Sequence, residues 1–165
     1  MERFHDGEPE QVTGCPQRDC TDGDDDLGTY PADFVEAVRN EGTGRTRDSK
    51  YLNWSYDVGF WLDSAPCDSG GRQLRPFVSA AADPGVLPRN STFEITGCGR
   101  QDDGSPAQAH VCAALKSATW TVTDEFTPGM GGNRHIDAYI GPETGPDFTD
   151  SAWYVSLTGA TLRLR

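Results

Sequence analysis

The chain has 165 residues, with 26 Asp and Glu against 14 Lys and Arg and a formal net charge of −12. A length like this suits one domain that buries roughly two-thirds of its unfolded surface. The acidic balance repels a phosphate backbone or an anionic bilayer, which argues against nucleic-acid and membrane-surface partners, and no run of about 20 apolar residues is present to span a membrane.

The charge is uneven along the chain. Residues 1–28 carry nine acids and two bases, a net of −7, and the remaining 137 residues carry −5. Up to Gln11 this segment lacks apolar periodicity and reads as flexible. Its run Asp22-Gly23-Asp24-Asp25-Asp26 has the clustered carboxylates that hard cations prefer, but no glutamate closes an EF-hand loop, so a solvated acidic turn is the favoured reading. The organisation expected is therefore an acidic N-terminal segment, 1–28, followed by one domain, 29–165.

With 19 glycines and 11 prolines the chain is punctuated too often for a helical bundle. One helix is predicted from Asp33 to about Arg39, after Pro31 and with Phe34, Val35 and Val38 inward. Strands are predicted at Tyr51–Tyr56 and Val58–Leu62 from aromatic-rich runs, at Phe77–Ala82 from a small apolar run, and at Thr92–Thr96, Thr119–Thr123, His135–Ile140, Trp153–Leu157 and Ala160–Leu164, several of them alternating. So many short strands between Gly/Pro turns argue a closed or nearly closed β-barrel.

Five cysteines, Cys15, Cys20, Cys67, Cys98 and Cys112, form no close CxxC pair, and three scattered histidines make a zinc site a poor account of them. Disulfides explain them better. One pairing is Cys15 with Cys20 and Cys98 with Cys112, leaving Cys67 over, although spacing alone does not fix connectivity. Disulfides in turn imply an oxidising compartment. Charged residues follow Met1, so no signal peptide is visible, and a secreted, mature chain is the expectation.

Three aspartates stand at strand edges: Asp83 in Ala81-Ala82-Asp83-Pro84-Gly85-Val86-Leu87-Pro88-Arg89-Asn90-Ser91, Asp124 after Trp120-Thr121-Val122-Thr123, and Asp137 in Arg134-His135-Ile136-Asp137-Ala138-Tyr139 beyond a glycine-rich loop. An acid inside an apolar strand is costly unless it is bonded or functional. The three segments together resemble the three-aspartate (3D) domain of membrane-bound type A lytic transglycosylases. In that family the first segment runs A-x-D-P-x-x-[IV]-P-L-G-[ST]; here Arg89-Asn90 stands where Leu-Gly is usual. Glu41-Gly42-Thr43-Gly44-Arg45 is similar to the Q-G-S-G stretch that enters the barrel in those enzymes.

The resemblance, which covers about residues 41–141, implies a mainly β fold: a six-stranded double-psi β-barrel with extra short strands and one or two short helices. It also implies cleavage of glycosidic bonds, with peptidoglycan the first substrate to consider. Asp137 would protonate the glycosidic oxygen and Asp124 would assist. Asp83 would support them, its own sequence context also fitting a turn cap. One carboxylate can serve both halves of an anhydro-forming cleavage, because it regains the proton it gave. An ionised Asp124 could instead activate water, as in an inverting hydrolase. His135 is at most a relay.

Sugar binding calls for aromatic faces and polar planar groups. Tyr56, Trp61, Trp54, Asp57, Tyr139 and Arg134 are the candidates, with Tyr56 and Trp61 first. No metal or cofactor is expected, and the partner is a polysaccharide met by a monomer. The competing readings are a non-catalytic, expansin-like carbohydrate-binding or wall-loosening module, and a secreted inhibitor on the same barrel.

Overall fold

The computed structural model describes residues 1–126 and 134–165; the glycine-rich stretch 129–133, read above as the approach to Asp137, lies outside them. The chain divides into two compact units, one of residues 1–74 with 142–146 and the other of residues 75–141 with 147–165. Residues 29–74 thus fold with the acidic segment rather than with the three aspartates.

In the first unit a turn of 3-10 helix, Glu2–Phe4, precedes strand β1, Pro9–Gly14, which pairs antiparallel with β2, Asp25–Pro31. The acidic segment therefore supplies a strand pair. Its polar outer residues hide the two that matter, Val12 and Leu27, which are buried. Helix α1, Ala32–Glu41, follows as the periodicity predicts and buries Phe34, Val35 and Val38 against Val12, Leu27, Leu52 and Phe60. Each such side chain contributes about 1.5–3 kcal/mol of apolar burial.

Two glycines shape what comes next. Gly42 ends α1 at φ 81° and donates its N–H to the Val38 carbonyl at 2.8 Å, a left-handed cap that disfavours a side chain. A Cβ on Gly44 would stand 2.6 Å from Val38 and 2.7 Å from Phe34, so α1 packs directly on the backbone of β3, Thr43–Arg45. Strands β3, β4 (Tyr51–Ser55) and β5 (Gly59–Asp63) form an antiparallel meander. Buried Asn53 holds it together: its Oδ1 accepts the Thr43 hydroxyl at 2.6 Å and the Cys67 N–H at 3.0 Å. This leaves no polar atom of that carbonyl unpaired in the core.

The second unit is built on a mixed sheet of five strands in the order β10-β7-β8-β6-β9, with ranges Thr161–Leu164, Thr92–Gly97, Trp120–Asp124, Ser79–Ala82 and Ile136–Ala138 respectively. Strands β6 and β8 run parallel, and the other neighbours are antiparallel. Helix α2, Ala109–Ser117, was not anticipated; it buries Val111 and Leu115 beside Phe93, Trp120 and Val122. The Trp120 indole N–H donates to the Leu115 carbonyl at 3.1 Å. Residues 153–157, expected as a strand, are irregular: Trp153, Val155 and Leu157 pack on this core without a ladder partner.

The mainly β expectation thus holds. Disulfides link Cys15 to Cys20 and Cys98 to Cys112, and Cys67 is a free, buried thiol. No described helix is long and apolar enough to cross a membrane.

Candidate functional site

Strand register sets the geometry of the acids. Asp124 pairs with Ala81 across the parallel β6–β8 ladder, where a bulge between Ala80 and Ala81 shifts the register. Asp137 pairs with the same Ala81 across the antiparallel β6–β9 ladder. Asp124 and Asp137 therefore both border Ala81, one on each of its neighbouring strands. Asp137 shares the outer face of Ala81, whereas at Asp124 the bulge interrupts the alternation that runs through buried Trp120 and Val122. Two strand spacings put the Cα atoms of the two acids about 9–10 Å apart. On the opposite face Ala80 and Ala82 belong to the core.

Asp83 comes two residues after Ala81, where β6 has ended. Its Oδ1 accepts the Gly85 N–H at 2.8 Å, and its carbonyl accepts the N–H groups of Val86 and Leu87. It thus shapes a turn, the role its own context suggested. That turn leads to Asn90, whose φ of 72° is left-handed and whose N–H donates to the Val122 carbonyl at 2.7 Å. Asn tolerates this backbone better than most residues with a side chain, so it serves where the resembled motif has glycine.

The two flanking acids differ in environment. The Asp124 Oδ1 accepts the N–H of Glu125 at 2.9 Å, and Glu125 pairs with Arg89 at 3.2 Å. The Asp137 Oδ1 lies 3.0 Å from the His135 Nε2, and the His135 ring stacks on Phe126 with centroids 5.0 Å apart. The Asp137 carboxyl is raised above its ordinary value: loss of surrounding water raises it, and the His135 pair lowers it by less. Its side chain keeps 63% of its surface accessible. Solvent therefore limits the size of that shift.

Of the predicted sugar contacts, Tyr139 and Arg134 share the unit of the three aspartates. Tyr139 is half-buried; its N–H donates to the Ser79 carbonyl at 3.0 Å and its carbonyl accepts the Phe77 N–H at 2.9 Å. Arg134 is exposed. Tyr56, Asp57, Trp54 and Trp61 belong to the first unit. Tyr56 and Asp57 are exposed in the turn between β4 and β5, Tyr56 at 65%, and Trp54 is half-buried beside the α1 core. Trp61 is a core residue, fully buried with Cys15, Val58 and Cys67, and offers no face to a ligand. Alternation along β4 and β5 does not say which face the chain later covers.

A cleft of about 490 Å³ in the first unit is lined by Gln17, Arg18, Asp19, Lys50, Leu62 and Asp63, among others. Sequence reasoning did not find it, although the short Cys15–Cys20 loop that forms part of its wall was visible. Asp22, Asp24, Asp25 and Asp26 are all exposed, but only Asp22 and Asp24 lie in the turn, because Asp25 and Asp26 begin β2 opposite Gly14 and Thr13. Among the described residues no group of three or more His, Cys, Asp or Glu side chains is placed to hold a metal. No protein-family model, curated protein or solved structure matches the chain.

Proposed function

We propose that the second unit is a glycan-cleaving acid/base centre, with Asp137 as the proton donor and Asp124 as its partner. The observation that supports this reading is that Asp124 and Asp137 lie on the two strands that flank β6 and pair with the same residue, Ala81. In the forward step Asp137 gives its proton to the glycosidic oxygen and the bond to the anomeric carbon breaks. The sugar's own hydroxyl then closes an anhydro ring and returns a proton to Asp137, or a water activated by Asp124 attacks from the far side. A backbone separation of about 9–10 Å suits carboxyl pairs about 6.5–9.5 Å apart, which leave room for water, better than the ~5 Å of a double displacement. A carboxyl held above its ordinary value is the direction an acid catalyst needs.

The left-handed Asn90 supports the resemblance to the three-aspartate domain, because it meets a backbone demand that the motif glycine would meet, whereas Gly42 and Gly44 of the similar entry stretch serve the first unit. On this reading the mixed five-stranded sheet, with its parallel β6–β8 pair, belongs to a double-psi barrel, and peptidoglycan is the first substrate to test. Two disulfides fit a secreted protein acting on a polysaccharide outside the cell.

One observation favours a second reading. Asp137 is largely exposed and already paired with His135, as a surface carboxylate of a non-catalytic, expansin-like binding module would be. Incubation with a panel of glycans, analysed by mass spectrometry, separates the two. Anhydro or hydrolysed ends that vanish in Asp137→Asn, with glycan binding kept, support catalysis. Intact glycans throughout, retained on the protein, leave the binding module. Products unchanged in Asp137→Asn remove Asp137 from the chemistry.

A further inference from the structure

The first unit holds a concentration of positive charge that the acidic composition conceals. A pocket of about 120 Å³ is lined by Arg3, Arg45, Thr46, Arg47 and Ser49, together with Met1. The Arg45 guanidinium donates to the neutral Ser49 Oγ at 3.2 Å. Arg3 lies over the Phe4 ring, its Cζ 4.7 Å from the centroid. Neither has a carboxylate partner among the described residues.

Arg47 shares one acid, Glu2, whose Oε1 stands 3.4 Å from the Arg47 Nε. The Met1 ammonium is spent on Glu143. The three lining guanidiniums share one paired carboxylate, Glu2, and the exposed Asp48 stands between Arg47 and Ser49, so the lining keeps an excess of positive charge although the unit around it is acidic.

The arrangement is held in place. Glu2 is only 7% exposed, and its Oε2 accepts the Arg47 backbone N–H at 2.7 Å. This pins the turn that carries Arg3 to the tight β3–β4 connection that carries Arg47 and Ser49, next to Arg45 at the end of β3. That connection is closed by Thr46 N–H to Lys50 carbonyl at 2.9 Å and Ser49 N–H to Thr46 carbonyl at 3.1 Å. Ser49 Oγ accepts from Arg45, so its own hydroxyl proton remains to donate. Forked guanidinium donors and a hydroxyl around a small concavity match the oxygens of a tetrahedral anion, and the volume admits one such group rather than a nucleotide.

We propose that this pocket is an oxyanion site that takes a sulfate or phosphate group, held by Arg3, Arg45 and Arg47 with Ser49. It stands independently of the reading of the second unit. The ligand is either a free anion or an ester carried on a polysaccharide.

The test follows backbone amides of the full chain by NMR during titration with sodium sulfate, sodium phosphate and a sulfated polysaccharide, each against sodium chloride at matched ionic strength. Saturable shifts confined to residues 2–4 and 45–49, absent with chloride, are expected. They should weaken at least tenfold in Arg45→Gln and stay unchanged in Lys116→Gln, a basic residue of the other unit. Tighter binding per sulfate for the polymer than for the inorganic ion identifies a polymer-borne ester, and equal binding a free anion. Shifts that track ionic strength alone, or survive in an Arg3→Gln/Arg45→Gln double variant, overturn the site. Arg45→Lys keeps the charge but loses the fork, and with its circular dichroism unchanged it should bind between the wild type and Arg45→Gln. Binding equal to the wild type in this variant would also refute the forked geometry.

Discussion

Cys67 shows how one buried group couples to pH. Its thiol is pushed up to about 12, by burial first and then by the negative charges of Asp63 and Asp68, with Arg18 opposing. Only the thiolate is a good nucleophile. The folded protein should therefore leave an aromatic disulfide reagent unreacted near pH 7, and one thiol per chain should appear on adding denaturant. Prompt native reaction would show that the thiol is open. The sign of the linkage follows: a raised value contributes stability below the ordinary thiol range, which is lost as pH rises from about 9 toward about 12, at about 1.4 kcal/mol per pH unit. Asp137 has the same sign at acid pH, because partial loss of water raises it and the His135 pair lowers it by less, and with most of its side chain in solvent the contribution is small. Its protonated form is favoured by folding, and that contribution fades as pH climbs past the ordinary carboxylate range. Since His135 is the opposing influence, His135→Ala should move the Asp137 carboxyl midpoint higher in a carbon-detected NMR titration. A midpoint that moved lower would mean the ring acts on Asp137 by some route other than charge.

The elements differ in how far their residues announce them. Helix α1 was legible because Phe34, Val35 and Val38 repeat at helical spacing behind Pro31. Strands β4, β5, β7 and β8 were legible from their aromatic and β-branched residues, and β6 from the small apolar run that ends in Ala82. The unread elements each have a local cause. Strands β1 and β2 bury one clear apolar side chain apiece, Val12 and Leu27, in otherwise acidic surroundings. Helix α2 has Gln108 before it with no side-chain cap, and its nine residues are rich in alanine, so its start carries no signal. The apolar alternation of Trp153, Val155 and Leu157 was real, but it records packing on the core rather than a strand. In the site, the order of the acids was visible and their shared partner Ala81 was not, because register depends on a bulge.

Two element-scale predictions follow from this packing. Gly44→Ala forces a Cβ against Val38 and Phe34 and should cost about 1–3 kcal/mol by overpacking, read as a lower urea midpoint; a neutral result would show that α1 can move off β3. For the disulfides, chain entropy assigns about 3 kcal/mol to the 14-residue separation of Cys98–Cys112 and about 2 kcal/mol to the 5-residue separation of Cys15–Cys20. Cys98→Ser/Cys112→Ser should therefore lower the urea midpoint more than Cys15→Ser/Cys20→Ser. The reverse order would place the stabilisation in native packing around buried Cys15 rather than in the unfolded chain.

At the scale of the whole chain the charge divides with the units. The first holds 17 acidic and 7 basic side chains, a net of −10, and the second 9 and 7, a net of −2. Most of the net charge of −12 thus belongs to the unit that lacks the three aspartates, and the unit that carries them is close to neutral. Self-repulsion at −10 destabilises the compact state, and salt screens it, the Debye length falling from about 30 Å at 0.01 M to about 3 Å at 1 M. Raising sodium chloride from low to high concentration should therefore lift the unfolding temperature of the first unit by several degrees and leave that of the second nearly fixed. Tryptophan fluorescence can report each unit separately, because Trp54 and Trp61 lie in the first and Trp120 and Trp153 in the second; a variant with Trp120 and Trp153 replaced by Phe reads the first alone. Equal upward shifts of both reporters would mean that chloride acts through general exclusion from the surface rather than through this charge. A shift larger with sulfate than with chloride at the same ionic strength, confined to the first unit and lost in Arg45→Gln, would separate occupation of the arginine pocket from screening.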